Sequence, residues 1–167
     1  MEFEQIWQRF YAPLVVLCRS FHGVRHSAVL QPEDLAQEVL LKVFTHMDAY
    51  DRNYSMATWV YRIARNHCID AVRKASAVPA GGLFGNEPGR ESGPELEAER
   101  KELEALIDGY LSGLENTDRH IAFLRFSENL KLREIARILE MPAGTVKYRI
   151  HRIRTGLRGE LKEAGYA

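Results

Sequence analysis

Residues 130–158 read LKLREIARILEMPAGTVKYRIHRIRTGLR and contain two short helical patterns with a break between them. In the first pattern, apolar residues recur at i, i+3, i+4 and i+7, which places them on one helical face. These residues are Leu132, Ile135, Ala136 and Leu139. Pro142 then suits the opening turn of a new helix, where no backbone N–H donor is needed. The stretch therefore predicts two helices joined by a tight turn.

The second of these helices is predicted to be apolar on one side, and all its charged residues, which lie on the other side, are basic. Its apolar stripe spans about 60° of the helix circumference. The stripe consists of Val146, Ile150, Ile153 and Leu157. Residues 141–158 include five Lys or Arg and no Asp or Glu. Helix, short turn and basic helix is the layout of a helix-turn-helix that reads a DNA major groove. The alternative is a helical hairpin with a solvated basic face, which so much uncompensated charge disfavours.

The composition narrows the class of protein. The chain has 167 residues, 46% of them hydrophobic, and a formal net charge of zero, which argues against indiscriminate coating of nucleic acid. Cys18 and Cys68 lie far apart in apolar patterns, which favours reduced, buried thiols over a disulfide scaffold or zinc site. The uncharged apolar run 11–18 is much shorter than the roughly 20 residues of a spanning helix. No signal peptide pattern is visible. We therefore expect a cytoplasmic protein without direct membrane contact.

The N-terminal half reads as three helices and shows no alternating strand pattern. Apolar residues follow helical spacing over 7–21, although Pro13 should kink or restart that helix. A second helix is predicted over 32–47, with acids in its first turn that suit the helix dipole. A polar loop, 48–55, separates it from a third helix over about 56–74. The N-terminal half is therefore predicted to be entirely helical.

A glycine- and proline-rich stretch divides the chain. Residues 76–94 hold five of the 12 glycines and three of the six prolines, so they favour a flexible linker. A structureless surface loop of this length within one domain is the alternative, and such loops are uncommon. Two more helices are predicted after it, around 103–111 and 121–126. We therefore expect an all-α chain of two small helical domains, 1–75 and 95–167, the second containing the helix-turn-helix.

Two blocks of the sequence resemble a known family. Residues 32–74, PEDLAQEVLLKVFTHMDAYDRNYSMATWVYRIARNHCIDAVRK, resemble domain two of bacterial sigma factors of the extracytoplasmic-function (ECF) group. Residues 114–157 resemble domain four of the same group. The resemblance implies a dissociable promoter-specificity subunit of RNA polymerase, used in a stress or envelope response. It implies two helical domains joined by a bare linker, with core RNA polymerase and promoter DNA as partners.

The second predicted helix carries a partly acidic stripe at i, i+3, i+4 and i+7. It consists of Asp34, Gln37, Glu38 and Leu41. By the resemblance, these residues bind a coiled coil of the largest polymerase subunit, and domain four contacts the polymerase flap. The alternative is a solvated helix face, which is the commoner fate of acidic stripes.

The loop 47–56 and the helix after it resemble the family's reader of the promoter minus-ten element. Holding separated bases requires aromatic rings for stacking and basic groups for the backbone. The candidates are Tyr50, Tyr54, Trp59, Arg62, Arg65 and Asn66. The alternative for Trp59 is a place in the core, as for most large rings.

The basic helix resembles the family's reader of the minus-thirty-five element. Its candidates for base and phosphate contacts are Lys147, Tyr148, Arg149, His151, Arg152 and Arg154. Two residues near this helix depart from the family's usual pattern. Lys131 replaces a capping Ser or Thr, which should weaken the start of the first helix. Asn129 replaces a common Gly, and Asn tolerates the left-handed conformation.

Other signals are weak or absent. His22 and His26 are four residues apart, but no third metal ligand is evident. No phosphate loop, nucleophile elbow or paired catalytic carboxylates appear, so we expect neither an enzyme nor a bound cofactor or metal. The rival functions are a stand-alone helix-turn-helix repressor, which would need to dimerise, and an interaction module that antagonises sigma factors.

We expect the activity of such a protein to be controlled by a separate regulatory protein. We find no sensor domain or inhibitory extension in the sequence, so both the polymerase-binding and the DNA-binding faces should be largely exposed in the free chain. The resemblance implies a dedicated anti-sigma factor, possibly anchored in the membrane, that covers the helix at 34–41 and the basic residues at 147–154.

Overall fold

The computed structural model describes residues 3–21, 27, 29–76 and 96–166. The helices overlap those that the apolar periodicity predicted, and the all-α class is confirmed. The helix expected around 121–126 begins earlier, at Asn116, and is α-helical only to Ala122. The helices are α1 (Phe3–Ser20), α2 (Pro32–Thr45), α3 (Met56–Ser76), α4 (Leu96–Gly113), α5 (Asn116–Ala122), α6 (Leu132–Leu139) and α7 (Ala143–Glu163). A 3₁₀ turn, Met47–Ala49, follows α2, and a π-helical turn, Phe123–Ser127, follows α5.

Helix α1 runs through Pro13 without a break. Of the two expected effects of Pro13, a restart of the helix is not found, and a kink stays a prediction. An interior proline costs about 3 kcal/mol. Burial of Phe10, Leu14 and Leu17 opposes this cost, since each such side chain contributes roughly 1.5–3 kcal/mol. Tertiary packing thus overrides the local preference.

Helices α2 and α3 complete the N-terminal core. Helix α2 begins at Pro32, as predicted, and buries its apolar side: Leu35, Ala36, Val39, Leu40 and Val43. The Ser55 hydroxyl accepts a hydrogen bond from the Thr58 backbone N–H at 3.2 Å, which satisfies one free donor at the start of α3. Cys18 and Cys68 are buried, with 3.3 Å between their sulfurs and no disulfide.

Helices α6 and α7 form the helix-turn-helix. Val146, Ile150 and Ile153 are buried, while Leu157 is half-buried. The turn places Glu140 in the left-handed conformation, with φ 54°, and Asn129 adopts φ 53° before α6. Asn129 thus adopts the left-handed conformation that Asn was expected to tolerate at this position. Lys131 gives no side-chain cap, but Glu134 accepts a hydrogen bond from the Lys131 N–H at 2.8 Å and compensates in part.

The two groups of helices pack against each other. Rings from both sides meet in one continuous core, where Phe21 lies 4.1 Å from His120 and Tyr61 lies 5.9 Å from Phe123 between ring centroids. Arg119 Nη1 also donates to the Ser20 carbonyl at the end of α1, at 2.9 Å. The contact places α6 across α3.

Some expectations fall on parts of the chain without a described structure. The linker assigned to 76–94 lies outside the described residues except for Ser76, which ends α3. His22 and His26 also lie outside them. The domain boundaries at 75 and 95 therefore stay a prediction.

Candidate polymerase and nucleic-acid interfaces

The outer face of α2 is polar with one large apolar side chain. Asp34, Gln37 and Glu38 are exposed, and Leu41 is 67% exposed. The Glu38 carboxylate lies 2.6 Å from His67 Nε2, and His67 Nδ1 lies 2.7 Å from Lys42 Nζ. The imidazole can therefore accept from Lys42 and donate to Glu38. This arrangement fixes the Glu38 carboxylate on the surface.

The loop before α3 is folded around its aromatic residues. The Tyr50 and Trp59 rings lie 5.2 Å apart between centroids, and the Tyr50 hydroxyl donates to the Tyr54 carbonyl at 2.7 Å. Trp59 is half-buried and Tyr54 is exposed. The Arg137 guanidinium of α6 lies over the Tyr54 ring, 3.7 Å from its centroid. The structure thus brings these three predicted residues together beside α6.

The polar candidates on α3 lie next to the turn of the helix-turn-helix. Arg62 and Arg65 approach the two carboxylate oxygens of Glu140, at 3.9 and 3.7 Å. Arg65 also donates to the Asn66 side-chain oxygen at 3.3 Å, and Asn66 is exposed. The predicted minus-ten residues therefore form one surface, and α6 contacts part of it.

The basic face of α7 is mostly exposed. Lys147, Tyr148, His151 and Arg154 are exposed, and the Arg154 guanidinium lies 5.9 Å from the Phe126 ring centroid. This face is open to a DNA groove.

Two arginines of α7 are held by an acid that the sequence reasoning missed. Asp118 is 2% exposed and bonds to Arg152 and, at 2.8 Å, to Arg149 Nη1. The hydrogen bond that Arg149 donates to Asp118 is the main cause that raises the pKa of Arg149. Arg149 is half-buried against α5, so it also connects two helices. The signal in the sequence was one acid, Asp118, in the first turn of α5, two helices before the basic helix.

Sequence reasoning also missed the acids that cross between the two groups of helices. The Glu128 side chain, only 7% exposed, accepts from the Tyr61 hydroxyl at 2.5 Å and from Arg9 at 3.0 Å. Burial is the main cause that raises the pKa of Tyr61, and Glu128 adds to it.

Glu134 makes the second crossing contact. It accepts from the hydroxyls of Ser55, at 2.6 Å, and Thr58, at 3.1 Å. Burial alone would raise the pKa of Glu134, but these bonds and the one from the Lys131 N–H together lower it. The carboxylate is therefore stabilised in its charged form.

A groove of about 610 Å³ lies between α3 and the helix-turn-helix. Its walls include Ile69, Leu139 and Met141, with Arg65 and Arg73 among its polar residues. In the described ranges as a whole, no group of His, Cys, Asp and Glu residues could hold a metal ion. Nor is any described helix long and apolar enough to cross a membrane.

The fold and two family matches define a protein of the sigma-70 class. Sigma-70 region 2 matches residues 6–78, and sigma-70 region 4 matches residues 104–157. The ECF RNA polymerase sigma factor SigW of Bacillus subtilis (strain 168) is 35% identical over 157 residues, which cover 88% of this chain and 82% of SigW. The chain belongs to the ECF group of sigma factors and is an alternative sigma factor. The resemblance seen in the sequence is thereby confirmed.

Solved structures show the same fold. The sigma factor RpoE in complex with the anti-sigma factor NepR from Bartonella quintana gives a TM-score of 0.69 at 21% identity, covering 96% of each chain. CnrH in complex with the cytosolic domain of CnrY gives 0.62 at 23% identity, covering 96% of this chain and 88% of CnrH.

Proposed function

We propose that this chain binds core RNA polymerase and directs it to a set of promoters by reading two DNA elements. Domain two, residues 1–75, would bind the polymerase and the minus-ten element, and domain four, residues 95–167, the minus-thirty-five element. The linker at 76–94 would let the two domains separate. The observation that carries the proposal is that a folded, exposed basic helix and an exposed acidic stripe occur on one chain of this family.

The chemistry of α2 suits a protein partner. Leu41 is 67% exposed beside the acids Asp34 and Glu38, so the face combines an apolar anchor with negative charge. Interfaces commonly have such an apolar centre within a polar rim. The largest-subunit coiled coil is the partner that the family implies, and the flap is the one implied for domain four.

The chemistry of α3 and α7 suits DNA. Exposed aromatic rings such as Tyr54 can stack on separated bases, a contact worth roughly 1–3 kcal/mol per base. Lys147 and Arg152 on α7 can donate to guanine O6 and N7 in the major groove. Asp118 restrains Arg149 and Arg152, which limits the conformations they must give up on binding.

The chain itself would carry no catalytic activity, since its relatives are initiation factors, and it would act in the cytoplasm, where its polymerase works. We also propose an anti-sigma factor as its regulator in a stress or envelope response. One structural neighbour was solved with the anti-sigma factor NepR, and another with the cytosolic domain of CnrY. The antagonist would compete with polymerase for α2 and mask residues 147–154.

The polymerase interface can be tested by charge reversal. The double change Asp34→Lys plus Glu38→Lys should weaken binding to purified core polymerase by about tenfold or more, the equivalent of about 1.4 kcal/mol. Exposed substitutions usually change stability by only about 0.5 kcal/mol, so helicity should be normal. The matched control is Glu99→Lys plus Glu102→Lys on α4, which makes the same charge change on another exposed face. Unchanged core binding by the α2 variant would contradict the proposal.

A further inference from the structure

One buried acid lies behind the proposed DNA-binding side of α7. Asp118, in the first turn of α5, is 2% exposed, and its two carboxylate oxygens accept from different arginines. Oδ1 accepts from Arg149 Nη1 at 2.8 Å, and Oδ2 accepts from Arg152 Nη2. The two arginines are three residues apart on one helix, so they are neighbours on its surface and can reach the same acid. Both oxygens of Asp118 are therefore engaged by α7.

The two arginines keep different amounts of free surface. The Arg149 side chain is 23% exposed, and its Nη1 also lies 3.5 Å from the Glu115 carboxylate. The Arg152 side chain is 52% exposed and bonds to Asp118 through Nη2. A guanidinium carries five N–H donors, so Arg152 keeps donors that can reach a DNA base. Arg149, in contrast, is used to connect α7 to α5.

Arg152 also has a suitable position around the helix. At 100° per residue it lies about 40° from Tyr148 and about 60° from Arg149. Tyr148 is 63% exposed and belongs to the open basic face of α7. Arg152 therefore lies at the border between the contact with α5 and the surface that is offered to DNA.

A carboxylate beside an arginine restricts the orientation of the guanidinium plane. Two N–H donors of one guanidinium can read guanine O6 and N7 together, and this contact requires one orientation of the plane. An arginine that is held in advance loses less side-chain entropy when it makes that contact. The charge of Asp118 also offsets one arginine charge, which weakens attraction to the phosphates of any DNA sequence. Asp118 therefore favours base reading over non-specific binding.

We propose that Asp118 is a positioning residue for promoter recognition, which holds Arg152 in the orientation that reads one guanine, while Arg149 anchors α7 and makes no base contact. This rests on the proposed role of α7 as the reader of the minus-thirty-five element. Specificity at that base pair thus depends on a residue of α5 that does not touch DNA, since Asp118 is buried.

The test measures base preference at single positions, with holoenzyme formed from core polymerase and the full chain. Transcripts from a genomic promoter library identify one promoter that the wild-type holoenzyme uses, and each base pair of its upstream element is then substituted. Transcript yields give the preference at every base pair for wild type, Asp118→Asn, Arg152→Ala and the double variant. The control is Asp108→Asn on the exposed side of α4, because it removes the same charge.

The expected result is confined to one base pair. Arg152→Ala should abolish a preference for guanine there, and Asp118→Asn should reduce the same preference by at least about fivefold. Preferences at the other base pairs, and all preferences in the Asp108→Asn control, should stay unchanged. In the Arg152→Ala chain, Asp118→Asn should have no further effect at that base pair, because the two residues act through one contact. A purely structural role would instead weaken the preferences at all positions together.

A measurement on the wild-type chain tests the restraint even if Asp118→Asn fails to fold. Heteronuclear NMR of arginine side chains reports the rotation of each guanidinium about its Nε–Cζ bond. Arg152 should show separate Nη signals, because Asp118 holds one of its two Nη atoms. Arg154 is exposed and has no carboxylate partner in the described part of α7 and its neighbours, so its Nη signals should be averaged.

Several results would overturn the positioning role. These are a guanine preference that Asp118→Asn leaves intact, an equal loss at all base pairs, a further loss in the double variant, no base pair that depends on Arg152, and averaged Nη signals of Arg152. The proposed function is judged separately. A wild-type holoenzyme that starts no transcripts from the library would refute the function, whereas normal transcription with any of the results above would refute only the role of Asp118.

Discussion

At the scale of single residues, His120 shows the largest effect of burial on a group that titrates near neutral pH. It is 6% exposed, its ring lies 4.1 Å from that of Phe21, and its Nε2 has no hydrogen-bond partner in the described part of the chain. Burial, with a smaller contribution from the charges of Arg119 and Arg65, lowers the pKa of His120 to about 4. The folded chain therefore keeps the imidazole neutral.

This predicts a loss of stability in mild acid. The pKa of His120 is lower in the folded chain than its ordinary 6.5, so the folded state is favoured above pH 6.5 and penalised as pH falls towards 4. The full penalty is on the order of 3 kcal/mol. Urea unfolding at pH 7 and pH 5 should show a smaller loss for His120→Gln, which cannot titrate, than for the wild type. Protonation of Glu134 affects stability only at lower pH, since the pKa of its carboxyl group is below the usual 4.5. Equal losses in both proteins would contradict the assignment.

At the scale of elements, α7 combines good packing with two glycines in its interior. A Cβ on Gly156 would lie 2.3 Å from the Tyr110 hydroxyl, whereas one on Gly159 would have nothing within 4 Å. Tyr110 uses that hydroxyl to donate to the Ile153 carbonyl at 2.9 Å. Gly156 therefore makes room for the contact between α4 and α7. Gly159 makes room for no contact and only lowers the helix propensity of α7.

The two alanine substitutions should differ accordingly. Gly159→Ala should raise the free energy of unfolding by about 0.5–1 kcal/mol, the usual gain in a helix. Gly156→Ala should gain less or lose stability, because the new methyl group displaces Tyr110 and breaks its hydrogen bond. Chemical denaturation of the two variants side by side measures the difference. An equal gain from both would show that Tyr110 does not require the glycine.

At the scale of the whole molecule, the three predicted binding surfaces differ in how far they are exposed. The predicted polymerase residues on α2 are exposed, as are most of the basic residues on α7. The minus-ten surface on α3 is partly covered by α6 through Arg137 and Glu140. A regulator that bound the chain with α6 on α3 would therefore need to cover only α2 and α7.

This gives a prediction for the proposed anti-sigma factor. Because the antagonist and polymerase would share α2, adding purified antagonist to preformed holoenzyme should release this chain at one-to-one stoichiometry. Size-exclusion chromatography of the mixture measures the release, and the α2 variant Asp34→Lys plus Glu38→Lys should also bind the antagonist more weakly. An antagonist that joined the holoenzyme without displacing polymerase or blocking promoter binding would contradict the shared surface.

The sequence by itself determined the helices and their inward faces. The start of α2 at Pro32, the helix-turn-helix at 132–163 and its apolar stripe all follow from residues within one or two turns of each other. The two family blocks are equally local, because each is a run of consecutive residues. Helical periodicity is a short-range property, so it is readable without the fold.

Only the tertiary structure decided which side chains meet across the chain. Glu128 and Tyr61 are 67 residues apart, and Glu134 and Ser55 are 79 apart. In the sequence each of these acids resembles an ordinary solvated surface residue. Their partners depend on how α6 lies across α3, which is set by the packing of two apolar faces rather than by local preference. The uninterrupted α1 at Pro13, the buried Asp118 and the covered minus-ten surface were therefore not predictable, because each depends on contacts between distant helices.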